Sequence, residues 1–291
     1  MQILDGNAVS QAIKEELKAE VDQLRLLNKK IPHLAAVLVG NDGASETYVA
    51  SKVKDCAEIG FDSTLLRFDE KISEQHLVDQ VALLNENPGI DGILVQLPLP
   101  KHISEELIIR TIDPDKDVDG FHPISMGKMV NNMPTFIPAT PYGIMLLLEH
   151  YNIATTGKHA VVIGRSHIVG TPMSILLSRN TAYGNCTVTL CHSRTKNIED
   201  YCRQADILVA ALGKPEFVSA DMVKEGAVVI DVGVTRVPDS SRKKGYRLAG
   251  DVKFDEVAPK CSFITPVPGG VGPMTRAALL KNTFNAATAM V

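Results

Sequence analysis

The sequence has no excess of basic residues: 30 Lys and Arg stand against 34 Asp and Glu, a formal net charge of -4. With a pI near 6.1, that balance argues against a nucleic-acid scaffold, which needs a basic face. Basic residues could still cluster locally around an anionic ligand. A paired-cysteine framework is also missing. Cys56, Cys186, Cys191, Cys202 and Cys261 are odd in number and never spaced C-x-x-C. This pattern fits reduced thiols in a reducing compartment and offers neither a disulfide scaffold nor a zinc site. No apolar run approaches the roughly 18 residues of a membrane span, and Met1–Gly6 is not followed by a signal-peptide stretch. There is no internal repeat and no low-complexity tract. The expectation is a soluble cytoplasmic protein with no metal and no nucleic-acid or membrane partner.

What is present is a regular alternation. The chain is 45% hydrophobic and 22% charged over 291 residues, ordinary for a globular protein of about two domains at roughly 150 residues each. Leu34–Gly40, Gly92–Gln96, Ala160–Gly164, Thr187–Cys191, Ile207–Ala211 and Val228–Val232 read as buried strands. Asn7–Asn28, Ser45–Gly60, Glu74–Asn85, Pro141–His150 and Ile168–Ser178 read as helices between them. Such alternation indicates α/β architecture with a parallel sheet in each domain. The Pro-rich stretch Pro134–Pro141 marks the boundary, giving a first domain of residues 1–140, joined by 273–291, and a second of 141–272. Pro238–Gly245 (PDSSRKKG) reads as a surface loop. Pro266–Pro273 (PVPGGVGP) is too rich in Gly and Pro for regular structure and precedes an apolar helix over Met274–Ala289.

Gly164–Gly170 (GRSHIVG) follows a strand and opens a helix, as a variant dinucleotide fingerprint with Ser166 in place of the middle glycine. The next strand ends in His192-Ser193-Arg194 and lacks the Asp or Glu that would bind a ribose 2'-hydroxyl. Arg165, Ser193 and Arg194 instead offer guanidinium forks and a hydroxyl to a 2'-phosphate. NADP is therefore favoured over NAD, the alternative for Arg194 being a solvated surface position.

In the first half, Ser45, Tyr48 and Lys52 share one helix, whose core stripe reads Val49, Val53, Cys56 and Gly60. Tyr48 and Lys52 stand one turn apart at the edge of that stripe. Partial desolvation there would lower the lysine pKa; a snorkelling lysine beside a packed tyrosine is the simpler alternative. Gln96 ends a strand, where ligands collect in open α/β sheets. Pro114–Gly120 (PDKDVDG) has calcium-loop spacing in Asp115, Asp117 and Asp119. It lacks the Glu near the loop's end that an EF-hand requires.

Five blocks in order, Ala44–Lys54 (ASETYVASKVK), Val95–Pro98 (VQLP), Pro114–Gly120, Val162–Met173 (VIGRSHIVGTPM) and Pro266–Thr275 (PVPGGVGPMT), closely resemble the bifunctional methylenetetrahydrofolate dehydrogenase/methenyltetrahydrofolate cyclohydrolase family. The resemblance spans nearly the whole chain. It implies an N-terminal α/β folate domain, a Rossmann-like NADP domain, a cleft between them and a C-terminal helix returning to the first domain. It implies that Tyr48 stacks on the folate, that Lys52 is catalytic, that Gln96 tunes it and that Asp119 hydrogen-bonds the pterin. Ser45 and Leu97 join the substrate set, and Pro268, Gly269 and Gly272 match a loop that closes over substrate. Gly164, Arg165, Ser166, Ser193 and Val234 match cofactor positions. The implied partners are one-carbon derivatives of tetrahydrofolate and a second copy of the chain. Two departures stand out: Pro138-Ala139-Thr140-Pro141 replaces the P-C-T-P of many members, and Asn180–Asn185 is long for the family. The competing readings are an NADP-dependent dehydrogenase of another small substrate, shikimate-type or amino-acid, and a catalytically silent NADP-binding protein.

Overall fold

The structure, a computed structural model, describes residues 1–242 and 245–289. Lys243 and Lys244 of the loop read at Pro238–Gly245, and Met290 and Val291 of the first domain's C-terminal segment, lie outside the described residues. The chain divides into two compact α/β units. One comprises Gln11–Ala139 and Arg276–Val291, the other Met1–Ser10 and Thr140–Thr275.

The first unit is built on three parallel strands in the order Asp62–Phe68, His33–Val39, Gly92–Val95. His33–Val39 is buried along almost its whole length, as expected of a central parallel strand covered on both faces. Ala35, Val37 and Val39 pack with Ile93, Val95, Leu77, Val81 and Ile108 in one core. The edge strand Asp62–Phe68 escaped the sequence reading because its DSTLLRF pattern is neither alternating nor continuously apolar. The short helices Glu105–Thr111 and Pro123–Val130 escaped it too. Each begins at a side-chain cap, Ser104 for the first and His122 for the second, which supplies one of the unpaired first-turn N–H groups with an acceptor.

The helix Gly43–Ile59 carries the candidate lysine. Asp42 caps its start by accepting from the Ser45 N–H, and Gly60 ends it in the left-handed conformation at φ 84°. Its buried stripe is Ser45, Val49, Lys52, Cys56 and Ile59. These positions advance by three or four residues, the helical repeat. The stripe read from sequence placed Val53 in the core and Lys52 at the edge. Val53 is only half-buried, whereas Lys52 lies inside the stripe at 4% exposure.

The second unit has a six-stranded parallel sheet in the order Gln2–Ile3, Phe263–Ile264, Val228–Asp231, Ile207–Ala210, His159–Ile163, Thr187–Cys191. The N-terminal strand pairs in parallel with Phe263–Ile264. Met1–Ser10 therefore belongs with this unit, whereas the sequence-based division had put it with residues 11–140. Thr187–Cys191 is the opposite edge. An antiparallel hairpin, Thr235–Pro238 with Tyr246–Ala249, flanks the loop read at Pro238–Gly245. The helix Val271–Thr288 starts in this unit, three residues earlier than the sequence suggested, with Pro273 in its first turn, where a missing N–H costs nothing.

Candidate active site

In the first unit, Lys52 Nζ lies 3.3 Å from Gln96 Oε1 and 4.7 Å from the centre of the Tyr48 ring. Gln96 sits one residue past its strand, its backbone N–H bonded to Val37 O. Its Nε2 donates to Leu97 O at 2.7 Å, which turns Oε1 toward the lysine. Burial pushes the Lys52 amine below the ordinary lysine range, against the opposing pull of Asp119 and Cys56 and with help from Arg276. Burial likewise pushes the Asp119 carboxyl upward, countered by Lys52. The Cys56 thiol is driven up to about 12, chiefly by burial; it stays protonated and is no nucleophile.

The turn that carries Asp119 is braced from three sides. Asp117, 1% exposed, accepts from the backbone N–H of Phe121 and His122 and from Ser125 Oγ. Asn282 Nδ2 donates to Val118 O at 2.8 Å and to Ile137 O at 3.0 Å. Asp119 O accepts from Ala139 N. Asp117 is thus a brace for the turn. Asn282 was not foreseen, since it lies 164 residues from Val118 and no local pattern marks it among the other polar residues of its helix. Ser45 is buried beneath the helix start and Leu97 precedes a cis proline at 98.

In the second unit the sheet order reverses at His159–Ile163, whose neighbours are the strand that follows it and the next but one. Open α/β sheets bind ligands at the carboxyl ends of strands flanking such a reversal. A cavity of about 400 Å³ opens at that place, lined by Gly164, Arg165, Ser166, Ser193 and, from the neighbouring loop, Leu212 and Lys214. The glycines are required by close approach. A Cβ on Gly164, at φ 118°, would meet Ala211 O at 2.1 Å, and one on Gly170 would meet Gly164 O at 1.9 Å. Ser166 Oγ accepts from Val169 N at 3.1 Å, so the residue replacing the middle glycine caps the turn. Arg165 is exposed at the cavity. Its guanidinium donors, the exposed hydroxyl of Ser193 and Lys214 fit a phosphorylated dinucleotide by charge and hydrogen-bonding capacity. Arg194 and Val234 are exposed and do not line this cavity. His192, Thr195 and Lys214 line it without having been foreseen. Lys214 stood just after a strand end, which is the signal that could have found it.

Pro268, Gly269 and Gly272 lie in the second unit. Gly269, at φ 105°, accepts the Asn7 N–H through its carbonyl at 3.1 Å, so the N-terminal segment holds this loop.

These features define a two-unit α/β protein with a phosphate-binding dinucleotide pocket and a buried lysine at the end of a parallel sheet. Residues 4–119 match the model of the tetrahydrofolate dehydrogenase/cyclohydrolase catalytic domain, and residues 138–291 that of its NAD(P)-binding domain. The chain is 63% identical over 287 residues to the bifunctional protein FolD of Cytophaga hutchinsonii, covering 99% of both chains. The crystal structure of the bifunctional enzyme FolD from Campylobacter jejuni superposes with a TM-score of 0.93 at 46% identity, covering 100% of both chains. The Trypanosoma brucei dehydrogenase-cyclohydrolase, complexed with NADP cofactor and an inhibitor, gives 0.92 at 39% identity over 98% of this chain and 97% of that one. The chain belongs to the tetrahydrofolate dehydrogenase/cyclohydrolase family.

Proposed function

We infer that this protein oxidises 5,10-methylenetetrahydrofolate to the 5,10-methenyl form with NADP and hydrolyses that product to 10-formyltetrahydrofolate. The observation that carries the reading is Lys52, a buried amine held against Gln96 and Tyr48 within the segment that matches the family's catalytic domain.

NADP, when bound, supplies the hydride acceptor. Gly164, Arg165, Ser166 and Ser193 would hold it, with Arg194 and Val234 as further contacts from outside the cavity's lining, and Arg165 would read the 2'-phosphate. Oxidation leaves a delocalised cation and needs alignment more than a base. Tyr48 stacks on the folate, and Asp119 accepts hydrogen bonds from the pterin. Ser45, Leu97, Pro268, Gly269 and Gly272 complete the substrate contacts.

Hydrolysis needs proton transfer. Water attacks the methenyl carbon and gives a proton to the neutral Lys52 amine as the C–O bond forms. The bond from that carbon to N5 then breaks as the hydroxyl O–H bond pair becomes the C=O bond and its proton leaves to water. N5 keeps the C–N electron pair and takes a proton from the Lys52 ammonium, which returns to the neutral amine, and the formyl group remains on N10. A lysine whose pKa is lowered by burial suits this exchange near neutrality.

The reading places the enzyme in the cytoplasm, in one-carbon metabolism that serves purine biosynthesis. The edge strand Thr187–Cys191 exposes backbone groups that a symmetric second copy would pair. This supports a homodimer, which a monomeric mass by light scattering would contradict. Reduction of NADP in the presence of methylenetetrahydrofolate, followed by the reduced nicotinamide's absorbance, tests the function itself. An inert folate substrate would return the question to the other dehydrogenase and the silent binding protein.

A further inference from the structure

The family blocks end at Thr275, and the next residue is the basis of a feature of this chain. Arg276, in the helix Val271–Thr288, donates from Nε to Asp55 Oδ2 at 2.6 Å. Asp55 is 6% exposed, and its other oxygen lies 3.4 Å from Lys14 Nζ, which also bonds Glu58 Oε2 at 2.8 Å. Asp55 is three residues beyond Lys52 on the helix Gly43–Ile59. Three residues place it roughly 60° around the axis and about 4.5 Å along it from the lysine, on the same side.

We propose that Arg276 is a positioning residue for the hydrolysis step: anchored on Asp55 one turn from Lys52, its guanidinium keeps the lysine amine in its neutral, proton-accepting form. The inference rests on the role given to Lys52 above. The Asp55 carboxylate is engaged on both oxygens by cations, so its charge is largely compensated. Arg276 then adds positive potential beside a buried amine, where screening by water is weak.

The groups facing Lys52 divide cleanly. Asp119, from the turn beyond the sheet, favours the ammonium, and Cys56, on the lysine's own helix, is a neutral thiol; burial opposes the ammonium first, with Arg276, from the C-terminal helix, acting in the same direction. Gln96 and Tyr48 are uncharged. Burial is the main force against the ammonium, and Arg276 is the charged group that adds to it against the pull of Asp119. Loss of the guanidinium also leaves the Asp55 carboxylate with Lys14 as its ion-pair partner among the described residues, which pushes Lys52 in the same direction.

The test separates charge from hydrogen bonding. Arg276→Gln keeps an N–H for Asp55 but removes the charge, whereas Arg276→Lys keeps the charge. In the full-length enzyme, the acid limb of the cyclohydrolase pH–rate profile is expected to move up by roughly 0.5–1 pH unit in Arg276→Gln. Arg276→Lys should leave the limb where it is in the parent enzyme. A merely structural role would lower both activities without moving the limb. An unmoved limb in Arg276→Gln, or an equal shift in both variants, overturns the proposal. Arg276→Met serves as the neutral variant if the glutamine form does not fold. Lys52→Met distinguishes the two levels of the argument. If it abolishes hydrolysis while the Arg276→Gln limb stays put, only the role of Arg276 fails; if hydrolysis survives it, the role of Lys52 fails as well.

Discussion

Gln96 Oε1 accepts from Lys52 Nζ at 3.3 Å while the same amide's Nε2 is tied to the carbonyl of Leu97. The amide is therefore locked with its oxygen toward the lysine, and it offers that lysine a dipole without a full charge. Gln96→Glu would replace it with an anion of nearly the same shape. The ammonium form of Lys52 would be stabilised, and cyclohydrolase activity near neutrality is expected to fall by roughly 10–100-fold, with its acid limb moved upward. A pH–rate profile of the variant checks this; an unshifted limb would mean Gln96 does not act on the proton affinity of Lys52.

Two buried carboxyls make stability depend on pH. Burial pushes Asp231 up to about 7 against the backbone N–H groups of Asp251 and Val252 that it accepts from, and burial pushes Asp117 to about 7 as well. Unfolded, both titrate near 4. The folded chain therefore holds more protons than the unfolded one between about pH 4 and 7. The contribution is fully present below the unfolded value and is lost as pH rises through the folded one. The thermal midpoint should thus carry a downward component between about pH 4 and 7, and Asp231→Asn should flatten it. Equal slopes for parent and variant would contradict the assignment.

Cofactor choice is expected to rest on Arg165, exposed at the dinucleotide cavity. Arg165→Ala should weaken NADP by roughly one to two decades, the usual worth of a charge-assisted contact, while changing NAD far less. Titration of both cofactors measures it. Equal losses would make Arg165 a support of the turn.

Much of this was legible in the sequence, for identifiable reasons. Strands such as His159–Ile163 and Val228–Asp231 are buried on both faces and announce themselves as apolar runs. The fingerprint at Gly164 and Gly170 reflects close backbone approach, which only glycine permits there. Asp62–Phe68 was hidden because an edge strand is half-solvated and tolerates polar residues. The burial of Lys52 was understated because hydrophobic periodicity counts a lysine as a surface residue. The Asp55–Arg276 pair spans 221 residues and the brace from Asn282 spans 164 to Val118; no local pattern encodes either. The strand Gln2–Ile3 joins its sheet through Phe263–Ile264, a pairing too short and too distant to read in advance.

The central claim is that Lys52 moves the proton in hydrolysis and that oxidation does not require it to. Lys52→Met keeps the apolar stem and deletes the amine. The measurement is of both rates on one preparation: NADPH formation from methylenetetrahydrofolate, and disappearance of added methenyltetrahydrofolate. Cyclohydrolase activity is expected to fall by about 10²–10⁴-fold, the range of a positioned acid–base group, with the dehydrogenase reduced less and the methenyl intermediate accumulating. An unchanged cyclohydrolase rate would contradict the account, and an equal fall in both steps would make Lys52 a binding residue instead.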